Sequence, residues 1–185
     1  MRKANVILCI GILVLFLVHG ILGGFQVIGV TAGGNDFLKG LTWVLLALVG
    51  VHGVIGTKYT VDTLRALKKS GKSYFKENRL FWARRISGFA VMLFVVIHAV
   101  IFLGKGSGEN YRLNYFGTLQ LISQILMVIS VAVHVICNIK PLFISLGSKG
   151  IRAYLCDILF ILSVVMLFCG VAMVIYYLRW NVFWR

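Results

Sequence analysis

Acidic residues are nearly missing from this chain of 185: five Asp and Glu stand against nineteen Lys and Arg. A soluble domain wets its surface with charges of both signs, about a quarter of its residues. Here charged residues make up 13% and hydrophobic ones 60%, so a water-facing surface is not the organising feature. The lack of carboxylates also argues against a proton-conducting pore, because only Asp157 falls in an apolar segment, near its end. Proline occurs once, at Pro141, a further departure from soluble composition. The four cysteines, Cys9, Cys137, Cys156 and Cys169, are scattered singly without C-x-x-C spacing; they read as small apolar packing residues, not as a metal or disulfide site. No low-complexity segment or long polar tail occurs.

What the chain has instead is five apolar runs, at 5–26, 38–57, 85–104, 117–139 and 154–178. Each is close to the roughly 20 helical residues that cross a hydrocarbon core. The runs are continuous, not alternating, and too few for a closed barrel, which leaves helices as the spanning element. The expected fold is an all-α integral membrane protein of a single domain, 1–185, with helices I–IV as an up-down-up-down bundle and helix V peripheral. The first run has a basic start like a signal peptide. Its length, the absence of an A-x-A-like site and the loss of His19 that processing would cause all argue against that reading.

Basic residues orient the chain. Fourteen of them, Arg2 and Lys3, nine between helices II and III, and Lys140, Lys149 and Arg152, fall on one side, and Lys39, Lys105, Arg112, Arg179 and Arg185 on the other. The positive-inside rule then puts the N-terminus in the cytoplasm and the C-terminus outside, in a multi-pass protein of the inner (cytoplasmic) membrane. The net charge of +14 is mostly this asymmetry, which suits a membrane surface or an acidic partner and no nucleic acid. The basic loop 58–84 reads first as a segment lying on headgroups, and second as a docking platform for a soluble subunit. Pro141 and the glycines of PLFISLGSKG read as helix breakers between IV and V.

All four histidines lie in apolar runs, one in each of helices I to IV: His19, His52, His98 and His134. A helix rises about 1.5 Å per residue, so His52 and His134, each six residues before a lysine, sit about 9 Å from the cytoplasmic boundary. His98 and His19 lie thirteen and sixteen residues past Arg85 and Lys3, about 20 to 24 Å from the same boundary. Two layers of two histidines follow. In an up-down-up-down bundle helices I and III are diagonal, as are II and IV. His19 can therefore face His98, and His52 can face His134. Facing imidazoles in apolar surroundings suit the axial ligands of a haem. Two haem b groups, stacked across the membrane, are the expected cofactors. A zinc or copper site would need its ligands to converge at one depth. Arg84 and Ser87 share the inward face of helix III at the depth of the inner layer, where they could bond haem propionates. Gly20, Gly50, Gly53 and Gly88 beside the ligands could make room for a porphyrin.

Five helices, one histidine in each of the first four at alternating depths, and the segment RLFWARRISGFAVMLFVVIHAV together resemble the di-haem cytochrome b membrane anchors of succinate:quinone oxidoreductases, the succinate dehydrogenase and fumarate reductase family. The resemblance covers nearly the whole chain. It implies that His52 and His134 ligate the proximal haem and His19 and His98 the distal one. It also implies that a flavoprotein subunit interconverts succinate and fumarate and an iron–sulfur subunit docks on loop 58–84. This chain would then carry electrons to or from membrane quinone, with no dicarboxylate chemistry of its own. Gln26, Asn35, Asp36 and Gln120, near the outer layer, could hydrogen-bond a quinone carbonyl. The chain departs from some members at Ala132, two before His134, where proton-moving relatives carry an acid. Two alternatives stay open: the cytochrome b of a formate dehydrogenase or hydrogenase, and a haem-free transporter or structural membrane protein.

Overall fold

A computed structural model describes residues 2–71, 79–103, 112–113, 115–147 and 154–183. Among them are five helices and no strand: α1 (Arg2–Val27), α2 (Asp36–Ser70), α3 (Arg79–Phe102), α4 (Thr118–Ser145) and α5 (Leu155–Leu178), with a π-helical turn at Arg179–Phe183 closing α5. All five are long and apolar enough to cross a membrane. Large apolar side chains such as Ile7, Val54, Leu93, Leu119 and Phe160 are exposed, while among the described residues the buried polar ones are Thr60, Ser87 and Gln124. This inverts a water-soluble fold and suits lipid as the solvent.

Three helices run well past the expected spans: α3 begins at Arg79, six residues before 85, and α2 and α4 run on at their ends. α2 continues thirteen residues past 57 because nothing in TKYTVDTLRALKKS breaks a helix. It stops at Gly71, whose φ of 64° is the left-handed cap that glycine adopts without strain. Lys68 and Lys69 sit in its last turn, where positive charge suits the helix dipole. Both ends of the expected basic loop 58–84 are therefore helix, 58–70 in α2 and 79–84 in α3; Lys72 and Lys76 lie outside the described residues, as do Lys105, Lys149, Arg152, Arg185 and residue 104 at the expected end of helix III.

α4 also runs through Pro141 to Ser145, so the expectation of a break there is overturned. A proline in a helix leaves the carbonyl four residues back without its usual N–H. Here that carbonyl is Cys137 O, and Arg84 of α3 donates its Nε–H to it at 2.9 Å. The guanidinium replaces the missing donor, and the helix continues.

α3 packs most closely on α4, α2 lies against α1, and α5 lies along both α1 and α4; α2 with α3, and α1 with α4, touch only lightly. Among the described residues α1 makes no close backbone approach to α3, nor α2 to α4. Helix V carries half of the buried apolar side chains among the described residues, including Leu162, Met166, Met173 and Tyr176. It does so because it fills the side on which α1 and α4 barely meet. At one end Val27, Leu113, Phe116, Met173 and Tyr176 form a closed cluster, with Trp180 packed against it. Tyr176 is fully buried, and its hydroxyl accepts the backbone N–H of Leu113 at 2.7 Å.

Candidate functional site

The histidines meet across the helices that do not touch. The rings of His19 (α1) and His98 (α3) have centroids 6.0 Å apart, and those of His52 (α2) and His134 (α4) 6.2 Å apart. A metal–imidazole bond of about 2 Å, with about 1 Å more from nitrogen to ring centre, separates two trans imidazole centroids by about 6 Å. Both pairs have that separation. Their planes cross at 88° and 76°.

Each imidazole uses its Nδ1 on a neighbouring helix. His98 Nδ1 lies 2.7 Å from Gln124 Oε1, His19 Nδ1 3.2 Å from Thr42 Oγ1, His134 Nδ1 3.3 Å from Ser87 Oγ, and His52 Nδ1 3.6 Å from Cys9 Sγ. The hydroxyl of Thr42 donates its hydrogen to Leu38 O at 2.8 Å, and that of Ser87 to Arg84 O at 3.2 Å. Thr42 can therefore receive Nδ1–H as an acceptor and an amide oxygen can only accept, while the Ser87 hydroxyl stands almost equally far from Arg84 O and from the His134 ring. In the His19 and His98 rings these contacts favour the proton on Nδ1, which would leave Nε2 as a bare lone pair. An iron ligand needs that tautomer, and a partner on the far nitrogen holds the ring in place.

These contacts are reciprocal. α1 carries His19 and, ten residues earlier, the partner of His52; α2 carries His52 and, ten residues earlier, the partner of His19. α3 and α4 repeat the exchange, with Ser87 eleven residues before His98 and Gln124 ten before His134. At about 1.5 Å per residue, each helix thus sets the two levels about 15 Å apart. A polar or sulfur side chain ten or eleven residues before every histidine is a signal present in the sequence. Sequence reasoning passed over Thr42 and Gln124, and took Cys9 for packing alone.

The other expected site residues have different surroundings. Ser87 is at the inner layer but bonds a histidine directly, and Arg84 is engaged with Cys137 O. Of the four residues considered for quinone, Gln26 Nε2 donates to Ala32 O and Asn35 Oδ1 caps α2 through the N–H groups of Phe37 and Leu38. Asp36 pairs with Lys39, and Gln120 Oε1 accepts from Gly117 N–H at the start of α4. These are turn and cap bonds within each residue's own neighbourhood, and none joins one of the four to another. Gly88 lies against the His134 ring: a Cβ there would stand 3.2 Å from Cε1. Gly53 instead faces Met92, and Gly20 faces Cys169. Among the described residues no three His, Cys, Asp or Glu side chains gather to hold one metal ion, the grouping on which a protein-only zinc centre draws.

No family model, no characterised protein and no solved structure matches this chain.

Proposed function

We propose that the chain is a di-haem cytochrome b, with α1–α4 as an up-down-up-down bundle around two haem b groups and its N-terminus in the cytoplasm. In this reading it serves as the membrane anchor and electron-transfer subunit of a succinate dehydrogenase or fumarate reductase. One observation carries the reading: two imidazole pairs, with ring centroids 6.0 and 6.2 Å apart, stand about 15 Å apart in depth, and every Nδ1 has a side-chain partner on a neighbouring helix. His19 and His98 would hold one haem and His52 and His134 the other. Haem so held supplies one-electron iron chemistry. The chain's own part is to fix the rings through the Nδ1 contacts of Thr42, Ser87 and Gln124 and to surround them with apolar helix. The resemblance set out above supports the choice of complex, and the basic end of α2 supplies a cationic face for an iron–sulfur subunit.

The reading is tested on the purified chain in detergent. Reduced b-type absorption bands with two haems per chain are expected, and a chain without them refutes it. Replacing Lys68, Lys69 and Lys72 with Gln is expected to weaken co-purification of flavoprotein and iron–sulfur subunits. Recovery of formate dehydrogenase or hydrogenase subunits in their place would reassign the complex while leaving the haems.

A further inference from the structure

We propose that Gln124 is a positioning residue for the outer imidazole pair, holding His98 in its Nδ1–H form and strengthening it as an iron ligand. The inference rests on the di-haem reading and extends it to a residue outside the ligand set.

Gln124 is 0% exposed in a helix that faces lipid, where an unpaired amide is costly. Both ends of its amide are used, and the direction of the chain of bonds is set by a group that cannot reverse. Ser123 donates its hydroxyl hydrogen to the backbone carbonyl of Gln120 at 2.7 Å. It must then accept from Gln124 Nε2, 3.2 Å away. That orients the amide with Oε1 toward His98, and the 2.7 Å contact requires the proton on His98 Nδ1. A backbone carbonyl thus dictates, through two side chains, which nitrogen of the imidazole is free.

The four rings are not treated alike. The partner of His98 is a buried amide at 2.7 Å, those of His19 and His134 are hydroxyls at 3.2 and 3.3 Å, and that of His52 is a thiol at 3.6 Å. Sulfur is a weak acceptor, so this order is also an order of bond strength. A hydrogen bond at the far nitrogen makes an imidazole a better donor to its metal. Better donation favours ferric over ferrous iron. Loss of the Gln124 carbonyl therefore moves the couple at the His98 level toward the reduced form and spares the His52–His134 level.

The test is a redox titration of both haem signals in membranes holding the full chain with Gln124→Met, which has similar volume and no such acceptor. One midpoint potential is expected to rise, by about 59 mV for each tenfold loss of ferric preference in a one-electron couple, while the other stays put. Two unchanged potentials, or two that move together, overturn the inference. If the Met variant lacks one haem, Gln124→Glu decides: it keeps an oxygen at the same place, so recovery of that haem upholds the role and continued loss reduces Gln124 to a packing residue. A wild-type chain without haem removes the di-haem reading and this inference together. Two haems with a silent Met variant remove this inference only.

Discussion

The outer and inner histidine pairs reach nearly the same ring separation by different means. Behind the outer pair runs a file of aromatic rings: Phe102 lies 4.8 Å from His98, Phe116 6.1 Å from Phe102, and Tyr176 5.0 Å from Phe116. Beside the inner pair stand two arginines tied to helix carbonyls within about one turn of the histidines: Arg84 on Cys137 O, three residues past His134, and Arg85 on Gly56 O, four past His52. The outer pair is thus braced by volume in addition to its Gln124 and Thr42 bonds, and the inner by polar bonds and one glycine. Interhelical hydrogen bonds in membranes average only about 0.6 kcal/mol, whereas each buried aromatic ring contributes packing over a large area. The inner level should therefore respond to changes of a few tenths of an ångström, and the outer level to loss of a ring or of the bond that seats it.

The largest expected effect tests whether the two levels are separate. His98→Ala or His19→Ala should halve the haem content, and His52→Ala or His134→Ala should remove the other haem, measured as pyridine haemochrome per chain and by which reduced band is lost. Loss of the same haem from His19→Ala and His52→Ala would break the pairing on which the comparison stands. Next comes Gly88→Ala. In a helix alanine is intrinsically favoured over glycine by about 1 kcal/mol, yet here its methyl would crowd His134 at 3.2 Å. The variant should keep or raise its thermal stability while shifting or weakening only the inner haem signal.

The corresponding change at the other end is Tyr176→Phe, which strands the buried Leu113 N–H and should cost about 1–3 kcal/mol. The melting temperature should fall, with any spectral change confined to the His98 level through Phe116 and Phe102. An equal disturbance of the inner signal would show that the two ends are not independently braced.

Much of this architecture could be read before any coordinates. Hydropathy places five helices, and counting residues from the flanking lysines and arginines sorts the histidines into two depths and pairs His19 with His98 and His52 with His134. The partners of the rings were less accessible. Thr42 and Gln124 sit in apolar runs as lone polar residues, and a single polar residue in a membrane helix has many ordinary explanations. Only the recurrence of a spacing of ten or eleven before all four histidines separates these from chance, and the spacing acquires meaning once adjacent helices are known to exchange contacts. The course of α4 past Pro141 was hidden for a similar reason: the donor that rescues the helix lies more than fifty residues away, on α3. Local propensity sees a breaker, whereas the outcome depends on a tertiary bond.

That bond supplies the smallest and most diagnostic prediction. Arg84 can be read as a guanidinium reserved for a haem propionate or as the donor that replaces the missing N–H of Pro141, and a double-mutant cycle separates the two. Arg84→Met alone leaves Cys137 O without a partner and should cost about 1 kcal/mol. Pro141→Ala restores an N–H four residues along, so in that background the loss of Arg84 should cost almost nothing, giving a coupling of about 1 kcal/mol between residues on different helices. Thermal unfolding of the four variants measures it. If Arg84→Met instead lowers inner haem content equally with proline or alanine at position 141, the guanidinium's service is to the cofactor, and the inner level is braced by charge. The outer level, with its brace of aromatic rings, should be indifferent in either case, so its signal is the internal control for the cycle.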